Sequence, residues 1–110
     1  RAADSRANRY LVLYRLENGL SKNRIGISVS KKVGNSVVRH HMCRLIRESY
    51  RLNEKSLKPG YDLVVVVRPL AKGRSYREIE SALLHLMKLQ NLVQELSSEN
   101  KDEKNLNRND

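Results

Sequence analysis

The chain has 110 residues, with 22 Lys and Arg against 12 Asp and Glu, a formal net charge of +10 and a pI near 10.1. That length suits one domain with its own core and needs no disulfide or metal to hold it; the single cysteine, Cys43, cannot form an internal bridge. The longest apolar run, residues 63–67, is far short of the roughly 20 residues of a membrane span. The first residues also lack a secretory signal, so a cytoplasmic protein with a polyanionic partner is expected.

Residues 10–16, YLVLYRL, are β-prone and run into the turn signal Asn18-Gly19. In residues 24–30, RIGISVS, Ile25, Ile27 and Val29 alternate with Gly26, Ser28 and Ser30, the period of a half-buried strand with a small, polar second face. The short loop between these runs predicts an antiparallel hairpin. After residue 35 the period changes. Stepped at about 100° per residue, Val38, Met42, Leu45, Ile46 and Ser49 share one arc, and Arg39, His40, Cys43, Arg44, Arg47 and Arg51 fill the opposite one. Residues 36–52 are therefore predicted as an amphipathic helix capped by Asn35 or Ser36.

Residues 58–60, KPG, mark a turn, and residues 61–69, YDLVVVVRP, read as a strand apolar on both faces and closed by Pro69. The interval before this strand fits a crossover with one helix, and hence a βαβ unit. Ser75-Tyr76-Arg77-Glu78 is a capping box. The stripe Ile79, Leu83, Leu86, Gln90 and Val93, widened by Leu89, Leu92 and Leu96, carries a helical period to residue 96. Residues 97–110 are polar, with a net charge of −1, and have too little apolar surface to offset the entropy of ordering. The expected organisation is one folded domain over 1–96 and a disordered tail over 97–110.

Charge is concentrated in residues 22–51, which sum to +7 with Glu48 as the only acid. A solvated helix face usually mixes signs at i,i+4, because like charges there repel. The unrelieved run His40, Arg44, Arg47, Arg51 instead suits a phosphate backbone. Lys31 and Lys32 stand just before the helix N-terminus, where free N–H groups favour an anion, and Gly34 permits a sharp turn into the helix. The small residues Gly26, Ser28 and Ser30 would let a nucleic-acid backbone approach the sheet, although they also suit an ordinary solvent-facing strand.

A metal site is disfavoured, because His40 and His41 point about 100° apart on a helix and only His40 and Cys43 share a face. No phosphate-cradling Gly-rich loop, zinc-protease helix motif or carboxylate cluster for Mg²⁺ is visible. No cofactor, no small-molecule substrate and no membrane partner are expected.

The stretch NRIGISVSKKVGNSVVRHHMCRLIRESYR (23–51), preceded by SRANRYLVLY (5–14) and followed by YDLVVVVRPLAKGRSYREIESALLHLMKL (61–89), closely resembles the protein subunit of bacterial ribonuclease P. The resemblance implies a two-layer α+β fold, with a small central sheet of three or four strands, helices packed against it and a left-handed βαβ crossover, against the usual rule. It implies a protein that assists a catalytic RNA which, with Mg²⁺ held by that RNA, removes the 5′ leader of precursor tRNA. Carried over by position, the Arg-rich motif falls on Arg39, His40, His41, Arg44 and Arg47, and the basic pair on Lys31 and Lys32. Tyr14 falls on an aromatic position of the leader cleft, whose sheet side would include Ser28 and Ser30. The family usually has Asn at position 40, Arg at 41 and Lys at 43, so RNA contact is expected to be weaker or pH-dependent here. Its leader cleft is also completed by an N-terminal aromatic helix that residues 1–110 do not carry, so this chain is expected to bind the RNA subunit but to distinguish precursor from mature tRNA only weakly. A different basic RNA-binding module, such as a ribosome-associated protein, stays open at this point.

Overall fold

The computed structural model describes residues 4–94; the tail expected over 97–110 lies outside them. The elements run β1 (Asp4–Ala7), β2 (Leu11–Glu17), β3 (Arg24–Val29), α1 (Ser36–Asn53), β4 (Tyr61–Val67) and α2 (Tyr76–Leu89), with short 3-10 turns at Glu54–Ser56 and Pro69–Ala71. They form a mixed four-stranded sheet in the order β1-β2-β4-β3. β4 lies parallel to β3 and antiparallel to β2, so β3, α1 and β4 make the βαβ unit that the spacing predicts.

The hairpin expected between β2 and β3 is not formed, because β4 lies between them. β4 carries the most apolar run, and a strand flanked on both sides buries Leu63, Val65 and Val67 almost completely. The loop after β2 is held instead by Asn18. Its Oδ1 accepts from Leu20 N–H (2.8 Å), and its Nδ2 donates to the Lys22 carbonyl (3.2 Å) and to Asp62 (3.0 Å).

The register places Leu11, Val67 and Val29 in one row and Leu13, Val65 and Ile27 in the next. This face meets Met42, Ile46 and Tyr50 of α1 and Ile79, Leu83, Leu86 and Met87 of α2 in a single core. Each fully buried Leu, Ile or Met side chain there contributes about 1.5–3 kcal/mol of transfer free energy. Both helices cover the same side of the sheet, so the expectation that β4 is buried on both faces fails: Val64 is 40% exposed.

β1 carries no apolar alternation and exists by pairing. Its four exposed residues align with β2 from Asp4 opposite Arg15 to Ala7 opposite Val12, and Arg15 bonds Asp4 at 2.9 Å. Asn8 then fastens this edge to α2, accepting from the N–H groups of Tyr10 (3.1 Å) and Leu11 (3.0 Å) and donating to the Ala82 carbonyl (3.0 Å).

α2 opens with the predicted capping box, Ser75 and Glu78 bonding reciprocally. It ends at Leu89, well before residue 96, because Asn91 adopts a left-handed φ of 59° while Leu92 N–H reaches the Met87 carbonyl at 2.9 Å. Leu92 and Val93 therefore join the protein by a reversed chain, with Val93 bridging Leu57. Gln90 is polar within the apolar stripe because its buried side-chain amide donates to the Leu13 carbonyl.

Candidate nucleic-acid interface

Immediately after β3 the chain folds into a tight turn. The Ser30 hydroxyl accepts from Lys32 N–H at 3.2 Å and the Ser30 carbonyl from Val33 N–H at 3.0 Å. Val33 goes into the core, while Lys31 and Lys32 stay exposed on the outside of the turn. Asn35, rather than Ser36, caps α1, its Oδ1 accepting from Val38 N–H at 3.0 Å. The first turn of α1 has no acidic residue, so nothing charged competes for its free N–H groups.

Gly34 is required by space and not by backbone angle. A Cβ there would stand 2.7 Å from Val38 Cγ1 and 2.8 Å from Val38 Cβ. The Gly34 carbonyl also accepts from Arg39 Nη1 at 3.1 Å, tying helix to turn. Gly34→Ala is expected to cost about 1–3 kcal/mol, as overpacking does, and to displace the two lysines. A denaturant titration checks the stability, and an unchanged midpoint would show that Val38 yields freely.

The outer face of α1 divides by what its side chains already hold. Arg39 is half-buried and committed to the Gly34 carbonyl, and Arg51 pairs with Glu48 at 2.7 Å. His40, His41, Arg44 and Arg47 are exposed, and among the described residues Arg44 and Arg47 have no carboxylate partner. On helical geometry His40, Arg44, Arg47 and Arg51 lie within about 60° of one line. Arg39 and His41 flank that line on opposite sides. Cys43 is half-buried.

The uncovered face of the sheet is the other half of the site. Ser5, Tyr14, Val64 and Gly26 form one cross-strand row, and Val12, Val66 and Ser28 belong to the next. Tyr14 (41%), Leu16 (37%) and Val64 (40%) are exposed together, lining with Arg15 and Asp62 a hollow of about 370 Å³. Tyr14 and Ser28 thus share a face with β4 between them, two strand spacings across and one row along the sheet, about 12 Å apart. Ser30 lies past the strand end, with its hydroxyl in the turn. The apolar part, Leu16 and Val64, escaped sequence reading because valines in β4 look like core. At one margin Arg24 grips Asp62 with Nε (2.7 Å) and Nη2 (2.9 Å). That pair, followed by the bond from Asn18, holds the Asp62 carboxyl below the usual carboxylate range.

Among the described residues no three His, Cys, Asp or Glu side chains gather as a metal site, and no helix is long and apolar enough to cross a membrane. What the surface offers is fixed cations, small residues and one open aromatic ring, which is equipment for holding a polyanion.

The family described as ribonuclease P matches residues 1–90. The ribonuclease P protein component of Lachnoclostridium phytofermentans is 61% identical over 87 residues, covering 79% of this chain and 75% of its own length. That of Alkaliphilus oremlandii is 54% identical over 89 residues, covering 81% and 78%. Among solved structures, the RNase P protein of Staphylococcus aureus superposes with a TM-score of 0.77 at 34% identity over 84% of each chain. That of Thermotoga maritima gives 0.74 at 30% identity, covering 78% of this chain and 82% of its own.

Proposed function

Because the chain belongs to the ribonuclease P protein family, we propose that it grips the catalytic RNA of that enzyme through α1 and the preceding turn and receives the precursor-tRNA leader on the open face of the sheet. As a bacterial ribonuclease P protein subunit it is part of a ribonuclease holoenzyme and has an RNA partner. The observation that carries the finer reading is the α1 face, where exposed Arg44 and Arg47 stand without carboxylate partners among the described residues, beside the acid-free helix start.

The chemistry follows from those groups. Arg44, Arg47 and the two lysines neutralise phosphates and release their counterions, while the α1 N-terminus adds N–H donors. Tyr14 gives one base a stacking partner, a contact of about 1–3 kcal/mol, and Gly26 and Ser28 keep the neighbouring sheet low enough for the strand to lie on it. Catalysis itself is assigned to the RNA with its Mg²⁺; this chain's share is electrostatic, allowing RNA and precursor to close at lower Mg²⁺ or salt. The assembly would work in the cytoplasm.

Reconstitution tests this. Adding the chain to its RNA subunit is expected to lower the Mg²⁺ needed for removal of the 5′ leader, while rigorously RNA-free protein leaves precursor tRNA intact. Cleavage by the protein alone would place a catalytic centre in this chain. Binding without any change in Mg²⁺ requirement would reduce it to a general RNA-binding module.

A further inference from the structure

The basic surface does not stop at α1. β3 and β4 are parallel and in register, Val29 opposite Val67, while β2 runs the other way with Leu11 opposite Val67. The residues leaving β3, those leaving β4 and those entering β2 therefore emerge at the same end of the sheet. In spatial order these are Lys31 and Lys32, then Arg68, then Tyr10 with Arg9. The span is two strand spacings, roughly 10 Å.

Around Tyr10 the charges are crowded and held in place. The guanidinium carbons of Arg9 and Arg74 lie 5.8 and 5.3 Å from the centroid of the Tyr10 ring, and the ring itself packs against the core. Arg68 is fixed by its N–H on the Tyr10 carbonyl and its Nη1 on the Asn8 carbonyl, both at 2.8 Å. All three arginines are exposed. Among the described residues the carboxylate paired with this group is Glu78, 3.7 Å from Arg74 and already committed to the Ser75 cap. Like charges gathered with so little compensation repel one another, and an aromatic ring offsets a cation only weakly at exposed sites. Arg74 also donates its Nε to the Leu70 carbonyl at 3.5 Å, so Arg68 and Arg74 are each oriented by part of their donor set, and the N–H groups that remain are suited to phosphate oxygens.

The geometry points to a second RNA-contacting patch at this sheet end, in which Arg9, Arg68 and Arg74, ordered by Tyr10 and Asn8, hold the phosphate backbone of an RNA strand that continues from Lys31 and Lys32. This rests on the proposed role in ribonuclease P and extends the protein–RNA contact beyond α1 and the open sheet face. Tyr10 acts here as a positioning residue, since the two guanidinium groups already occupy its ring.

The test uses the full chain, with its cognate ribonuclease P RNA and with an oligouridylate as probes, and reads the slope of log K against log[salt]. If Arg9 and Arg74 each neutralise one phosphate, R9Q/R74Q should flatten the slope by about 1.4–1.8, while R9K/R74K, which keeps the charge, retains most of it. A control pair at the opposite end of the sheet, K55Q/K58Q, should leave the slope unchanged. An unaltered slope in R9Q/R74Q, or an equal loss in the control pair, overturns the patch. Measuring R44A/R47A in parallel separates the two ideas. Flattening there and none in R9Q/R74Q removes the patch and leaves the proposed function, whereas no flattening in either removes both. Melting curves of R9K/R74K alongside R9Q/R74Q identify any loss due to misfolding.

Discussion

Alanine at both Arg44 and Arg47 is expected to flatten the log K versus log[salt] slope for ribonuclease P RNA by about 1.4–1.8, the equivalent of two phosphates. Taking about 1.5 kcal/mol for each charge-assisted contact, affinity at fixed moderate salt falls roughly a hundredfold. The fold should not suffer, since both side chains are exposed and without carboxylate partners among the described residues, and alanine favours helix. Arg51→Ala is expected to do less, because Arg51 already holds Glu48. An unchanged slope in the double variant would make this face a solubilising one.

Arginine in place of His41 is also expected to tighten binding of ribonuclease P RNA. His40 lies on the arginine line and His41 flanks it, both exposed, so His41→Arg sets a permanent cation with a planar donor fork beside phosphate. Taking about 1.5 kcal/mol for the added charge-assisted contact, affinity rises roughly tenfold and the salt slope steepens by about 0.7–0.9. Zinc held by the two imidazoles would show the reverse, the substitution weakening binding and a chelator abolishing it in the wild type. Affinity measured against salt for wild type and His41→Arg, with and without a zinc-selective chelator at fixed Mg²⁺, decides between them; an unchanged affinity and slope would make the histidine a passive helix residue.

Local patterns in the sequence were readable wherever one side chain after another reports the same environment. The alternation of Ile25, Ile27 and Val29, the arc of Met42 and Ile46, and the Ser75–Glu78 cap all stand in the structure as read. Pairing was less readable, because nothing in residues 10–30 says that a strand made 30 residues later will lie between two neighbours. β1 carries no signal of its own, and Asn91 ends α2 by a backbone choice that the apolar spacing of Leu92 and Val93 conceals. On the binding surface, charge could be read from composition, but its commitment could not: Arg39 and Arg51 look like Arg44 and Arg47 in the sequence, and only geometry shows that they are engaged. Nothing in the sequence gathers Arg9, Arg68 and Arg74: the first two meet through the pairing of β2 with β4, and the third joins them over the Tyr10 ring.

The central place of β4 also bears on how the chain comes together in time. During synthesis, at about 5–20 residues per second, β2 and β3 exist for seconds before their shared partner does, and neither can pair with the other in the native arrangement. Beyond the local pairing of β1 with β2, the sheet must therefore wait for a closure that spans α1, the kind of distant contact that slows folding. Until then the other edge of β2 is open and available to a neighbouring nascent chain. The exposed arginines and lysines around it then act as gatekeepers, keeping two unfinished copies apart by mutual repulsion.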